Sequence, residues 1–143
     1  MKLERFVQAQ APIYEQALAE LRAGRKQSHW MWFIFPQIQG LGQSAMSHSY
    51  AIRSLKEAQD YLAHPLLGRR LRECFEATEQ IGDKSAYQIF GSPDDLKFRS
   101  SLTLFAQAAP EDALIDSLLR KYFQGDRDEA TLEILARQVS DGL

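Results

Sequence analysis

The stretch richest in chemical content is residues 24–44, GRKQSHWMWFIFPQIQGLGQS. From Trp30 to Phe35 it places Trp, Met, Trp, Phe, Ile and Phe side by side, and Pro36 ends the run. Trp30 and Trp32 offer aromatic faces on which a planar base could stack. Arg25, Lys26 and His29 precede the run and supply positive charge. His29 is the acid/base candidate, because an imidazole pKa is readily set near neutrality. Gln37 follows the run with an amide. Gly40 and Gly42, in a G-L-G-Q-S turn that ends at Ser44, let backbone N–H groups approach an anion closely. Apolar walls with a few convergent polar groups are the usual make-up of a small-molecule site. The competing reading takes the aromatics as core and the flanks as solvated chain. Neither a strand–GxGxxG–helix context nor GxxxxGK[ST] surrounds these glycines, so neither a Rossmann site nor a P-loop is supported.

A second constellation is FGSPDDLKFRSS, residues 90–101. A helix start preceded by Gly-Ser is an anion-binding geometry, yet Asp94 and Asp95 already face the positive end of that dipole and would repel a phosphate. The functional reading therefore rests on Lys97 or Arg99 reaching a phosphate or carboxylate from the following turn. The alternative is a capped surface helix whose serines pack against a neighbour.

Other chemistry is not supported. His29, His48 and His64 fit no metal-ligand spacing and Cys74 has no CxxC partner, so neither a metal nor a cofactor is expected. Cys74 falls on the apolar face of its helix and reads as inert core. No GxSxG elbow is present. The run Gly68-Arg69-Arg70-Leu71-Arg72 reads as a solvated basic face. Nucleic-acid binding would need Arg25, Lys26, Arg53, Arg69, Arg70 and Arg72 to share one surface. The overall charge, 17 − 19 = −2, argues against it.

The elements that must position these residues are mostly helical. Leu3–Ala11 carries Leu3, Phe6 and Val7 on one face. Pro12 opens a second helix with Ile13, Ala17, Leu18 and Leu21 inward, and Gly24 stops it. Ser54-Leu55-Lys56-Glu57 has capping-box spacing. Pro65 begins a helix with Leu66, Leu67, Leu71, Cys74, Phe75 and Thr78 on one side. Ser92-Pro93-Asp94-Asp95 and Pro110-Glu111-Asp112 are further starts, and Asp126–Val139 makes the last helix. Only Trp30–Phe35 and Tyr87–Phe90 have strand character, and the periodicity of the first cannot separate a buried strand from a buried turn of helix. A mainly α, compact single domain over residues 1–143 follows, with about six or seven helices and little or no sheet.

The 143 residues are 45% hydrophobic and 25% charged, the make-up of one globular domain that needs no disulfide or metal staple. A single cysteine favours a reducing compartment. No apolar run reaches the ~18 residues of a membrane span, and MKLERFVQAQ lacks the apolar core of a signal peptide. A cytoplasmic protein without a membrane partner is expected.

GRKQSHWMWFIFPQIQGLGQS, EAQDYLAHPLLGRRL, IFGSPDDLKFRSSLTLF and FQGDRDEATLEIL resemble, over essentially the whole chain, a bacterial family of uncharacterised proteins, the domain of unknown function 1810. That resemblance implies a mainly helical single domain and no established activity. The order of features is loosely similar to that of the NADAR (YbiA-like) proteins, helical domains associated with N-glycosidase chemistry on ADP-ribose-type compounds. The shared features are an aromatic segment, then Glu57-Ala58, Gly68-Arg69 and Thr131-Leu132. The glutamate–histidine pair of that family has no counterpart in Ser47-His48-Ser49-Tyr50, so no catalytic residue carries over. This second resemblance implies, at most, an N-glycosidase-like hydrolase. Glycosidic cleavage would want a carboxylate such as Glu57 or Asp94.

Two functions are therefore expected as alternatives. One is a binding protein or enzyme for a small anionic, nucleotide-like (ADP-ribose-type) ligand. It would be held by Arg25, Lys26, Trp30, Trp32, Gln37, Gly40, Gly42, Ser44, Lys97 and Arg99, with His29 catalytic. The other is a non-enzymatic protein–protein interaction domain that docks a partner on an exposed aromatic segment. A charged mouth beside the tryptophans distinguishes the first; a flat, exposed aromatic patch distinguishes the second.

Overall fold

The computed structural model describes residues 3–141, and among them there are ten helices and no strand. In chain order they are α1 (Glu4–Gln10), α2 (Tyr14–Arg22), α3 (Met31–Ile34), α4 (Ala45–Ser49), α5 (Leu55–Ala63), α6 (Leu67–Glu79), α7 (Ala86–Phe90), α8 (Asp94–Ala108), α9 (Ala113–Phe123) and α10 (Glu129–Ser140). The mainly α expectation holds, but the count of six or seven does not. The additional helices are single turns. Trp30–Phe35 is not a strand: its centre is the four-residue α3. Tyr87–Phe90 is not a strand either but lies in α7.

α7 has a local cause. Ser85 accepts from the Gln88 N–H at 3.1 Å, and the Gln88 side chain accepts from the Ser85 N–H at 2.8 Å. This reciprocal box satisfies two of the donors a helix start leaves orphaned. Ser85→Ala is expected to cost about 1 kcal/mol, read as a small drop in the urea midpoint. The pattern at Ser54 closes differently. Ser54 accepts from the Glu57 N–H at 3.1 Å, but Glu57 turns to the Arg53 N–H and the Arg5 guanidinium, each at 3.0 Å.

α8 is the central element and packs on α5, α7, α9 and α10. Phe98 and the run Ser100–Ala106 are all buried, so nearly the whole circumference of the helix is covered. α6 presents most of the stripe its spacing predicts, Leu67, Leu71, Cys74, Phe75 and Thr78, toward α2, α5 and α9, while Leu66 stands at the N-cap and is only partly buried. Gly68 sits where α6 meets the end of α5. A Cβ there would lie 2.1 Å from the Leu62 carbonyl oxygen, so glycine is what lets the two backbones approach.

Aromatic rings fill the core around Phe35, which stacks on Phe75 at 5.5 Å and meets Phe98 edge-on at 4.9 Å. Gln10, 1% exposed, bridges three elements through this core. Its amide donates to the Phe33 carbonyl at 2.7 Å and to the Tyr61 hydroxyl at 2.9 Å. Burial pushes the Tyr61 hydroxyl pKa upward, and it pushes the Cys74 thiol up to about 12. Cys74 is thus a protonated core residue at neutral pH, as its position on the helix face suggests.

Candidate binding cavity

Pro36 ends the aromatic run, and the chain leaves the core through an isolated parallel bridge between Ile38 and Ile52. The Gln39 N–H donates to the Ile52 carbonyl at 2.7 Å, and the Ile52 N–H donates to the Gln37 carbonyl at 2.8 Å. These bonds close residues 40–51 into a compact loop that carries α4. Arg5 fixes its return, donating to the carbonyls of Ser49 and Ala51. Within the loop Ser44 caps α4 by accepting from the Ser47 N–H at 3.1 Å. Gly42 lies so close to Ser47 that a Cβ would fall 2.2 Å from its hydroxyl oxygen, and Gly40 has φ +107°. Both glycines are needed to fold the loop on itself, a backbone role that the anion-cradle reading did not consider.

Between this loop, α3 and the first turns of α8 lies a cavity of about 240 Å³. Trp32, Gln37, Gly40, Gly42 and Lys97 line it. These five come from the two stretches singled out in the sequence, brought together by packing. Ser47, His48, Tyr50, Ser100 and Asp128 line it as well. Sequence reasoning did not assign these to a site. The signal for Ser100 was visible, as a hydroxyl interrupting an apolar helix face. For His48, Tyr50 and Asp128 the linear sequence held no comparable sign.

The walls divide by chemistry. Trp32 is half-buried, and the Lys97 ammonium lies over its ring, 5.1 Å from the centroid. Lys97 also lies 3.4 Å from Asp94. Opposite charge is supplied by Asp128, the N-cap of α10, which is heavily engaged. It accepts from the Thr131 N–H at 3.1 Å, the Thr131 hydroxyl at 2.5 Å and the Ser100 hydroxyl at 3.1 Å. Arg99 does not line the cavity; its guanidinium stands 3.8 Å from Asp128. Ser44 is one turn removed, spent on capping α4.

The other expected site residues lie elsewhere. Trp30 is fully buried, and its indole N–H donates to Glu20 at 2.9 Å, so it offers no face to a ligand. Arg25 and His29 are exposed and do not line the cavity. Lys26 is paired with Asp94 at 2.9 Å and lies over the Trp30 ring at 5.2 Å. Glu20 is responsible for this placement. Its carboxylate also accepts from the N–H groups of Gln27 and Ser28 and from the Ser28 hydroxyl, which pins residues 27–30 to α2. Partial burial alone would raise the Glu20 pKa. The Ser28 hydroxyl, the two backbone N–H groups and the indole outweigh it and hold the carboxyl at about 2.

The basic residues do not assemble as one uncommitted face. Arg70 packs over the Tyr14 ring at 4.7 Å, Arg72 reaches Asp112 at 3.3 Å, and Lys26 is held by Asp94. Glu57 is held by Arg5 and the Arg53 N–H. No group of three or more His, Cys, Asp or Glu among the described residues is arranged to hold a metal ion. No helix among them is long and apolar enough to cross a membrane.

Comparison with known proteins adds a family and a fold. The family model described as "Protein of unknown function (DUF1810)" matches residues 1–135. A crystal structure of the conserved hypothetical protein Rv1873 from Mycobacterium tuberculosis is 53% identical and superposes with a TM-score of 0.92, over 94% of this chain and 96% of that one. No curated protein matches the chain.

Proposed function

The chain belongs to the DUF1810 family, whose description assigns no activity, and from the site itself we propose that it is a small-molecule binding protein for a planar, nucleoside-like ligand. The observation that carries this reading is the Trp32 ring, half-buried in the wall of an open-mouthed cavity whose lining also holds an ammonium, an imidazole and three hydroxyls. A ring of that kind can stack a base, and the amide of Gln37 and the hydroxyls of Ser47 and Ser100 can read its edge or a ribose. Among the described residues that line the cavity Lys97 is the one lysine or arginine, which moves the anionic subsite from Arg25 and Lys26 to the first turn of α8.

The alternative of a partner-docking domain called for a flat, exposed aromatic patch. Trp30, Phe33 and Phe35 are at most 7% exposed, which supports the cavity over that patch. Turnover is not part of the proposal. An N-glycosidase would want a carboxylate at the reacting carbon, and Glu57, Asp94 and Asp128 each already serve a protein cation or helix cap.

A thermal-shift screen with nucleosides, mononucleotides, dinucleotides, ADP-ribose and sugar phosphates tests the reading. A ligand at one hundred times its Kd adds about 2.7 kcal/mol, which for a domain of this size is a rise of several degrees. The rise is expected for base-containing compounds and is expected to vanish in Trp32→Ala. A flat profile across the panel, or a rise that Trp32→Ala leaves intact, removes the proposal.

A further inference from the structure

At the edge of the cavity two ammonium groups share one carboxylate. Lys26 Nζ lies 2.9 Å from Asp94 Oδ2, and Lys97 Nζ lies 3.4 Å from Asp94 Oδ1. The two lysines are not equivalent. The Lys26 side chain is 8% exposed, its backbone N–H donates to the Ile89 carbonyl at 2.8 Å, and its ammonium also sits over the buried Trp30 ring. The Lys97 side chain is 28% exposed, lines the cavity and sits over Trp32. Breaking the Lys26 pair would strand a buried ammonium, which is costly. Withdrawing Lys97 leaves Asp94 with its shorter and more buried partner still in place.

We propose that Lys97 is the exchangeable charge contact of the cavity, that the Lys26–Asp94 pair is what makes it exchangeable, and that the site selects a planar ligand bearing one negative charge. This rests on reading the cavity as a binding site. A ligand carboxylate or phosphodiester replaces Asp94 Oδ1 as the partner of Lys97, and Asp94 falls back on Lys26. A second or third negative charge meets no further lysine or arginine on the lining, whose other titratable groups are His48, Tyr50 and Asp128. The Asp128 carboxylate adds repulsion. Lys26 therefore acts as a positioning residue, through Asp94, and Lys97 touches the ligand.

The test is a set of tryptophan-emission titrations at neutral pH and low salt. The probes are adenosine, 3′,5′-cyclic AMP and ADP, with the matching guanine and uracil series. The cyclic monophosphate is expected to bind about tenfold more tightly than the nucleoside, as a charge-assisted contact should allow, and the diphosphate is expected to gain nothing further. Lys97→Met should erase the preference, so that the cyclic monophosphate and the nucleoside bind with equal affinity. Lys26→Met leaves Lys97 as the one lysine paired with Asp94, so the preference for the monoanion should fall several-fold while nucleoside affinity holds. A merely structural loss at position 26 would weaken both ligands alike. Lys26→Arg, which keeps the cation, should restore the preference and decides the matter if Lys26→Met does not fold. Equal affinity for all three charges, or tightest binding of the diphosphate, overturns the inference and leaves the binding-site reading standing. No binding by any member of the three series overturns both.

Discussion

Phe35→Ala is expected to lower the free energy of unfolding by about 3–5 kcal/mol. The Phe35 ring is fully buried and lies among four others: Phe75 at 5.5 Å and 9°, Phe98 at 4.9 Å, and Trp30 and Phe90 at 6.1 Å. These rings come from α6, α7, α8 and the residue before α3, so no single helix can shift to fill the space a truncation leaves. A domain of this size has a total stability of about 5–15 kcal/mol, so the loss consumes a large share of it. Phe35→Leu keeps most of the volume and should cost clearly less. Urea unfolding followed by far-UV circular dichroism measures both variants. A Phe35→Ala cost below about 1.5 kcal/mol would mean that the aromatic cluster is not the centre of the core. Phe35 also ends α3, the helix that holds Trp32 at the cavity, so ligand-induced stabilisation should weaken in this variant too.

Why the aromatic run reads equally as a strand or a buried turn of helix, while most helices are legible, comes down to where the information lies. Helix starts are local chemistry. Ser54 and the acids Asp94, Asp95 and Asp112 announce themselves within four residues, and Ser54 and Asp112 do cap their helices. The S-x-x-Q box at Ser85 is equally local, and sequence reasoning did not single it out. α3 could not be read this way. Its four residues are too few to show a period, and all four are apolar although only Met31, Phe33 and Ile34 are buried, so apolar spacing carries no signal. The site divides along the same line. Trp32, Gln37, Gly40, Gly42 and Lys97 were visible because aromatic, amide, glycine and ammonium groups stood out in two unusual strings. Trp30 was grouped with Trp32 by adjacency. Residues two apart at a helical turn point about 200° from each other, and one indole entered the core while the other entered the cavity wall. Arg25 and His29 followed the same false logic, since nearness along the chain is not nearness in space. His48 and Asp128 reach the cavity through the 40–51 loop and the α10 cap, contacts that only long-range packing creates.

Glu20→Gln isolates the anchor that set this division, and its effect is expected to depend on pH in a definite direction. The carboxylate gathers the Gln27 and Ser28 N–H groups, the Ser28 hydroxyl and the Trp30 indole N–H. The indole belongs to a fully buried side chain, so a lost acceptor leaves a buried donor unpaired, at about 1–3 kcal/mol. At neutral pH Glu20→Ala should therefore cost about 2–3 kcal/mol, and Glu20→Gln, which keeps a carbonyl acceptor, should cost less. The folded carboxyl pKa is about 2, below the ordinary value of 4.5. A group whose pKa is depressed by folding contributes stability that is complete above the unfolded pKa and fades as pH falls through the folded one. The gap between wild type and Glu20→Gln should thus be constant from pH 8 to about 5, narrow below about 4.5 and close near pH 2. Urea midpoints of both proteins across that range measure it. A gap unchanged down to pH 3, or one that widens with acid, would show that the charge on Glu20 is not what holds residues 27–30. If the gap closes as expected, the indole of Trp30 is fixed by an ionised acceptor. The two indoles then have separate duties: Trp30 is bound to α2 through Glu20, and Trp32 is left to face the cavity.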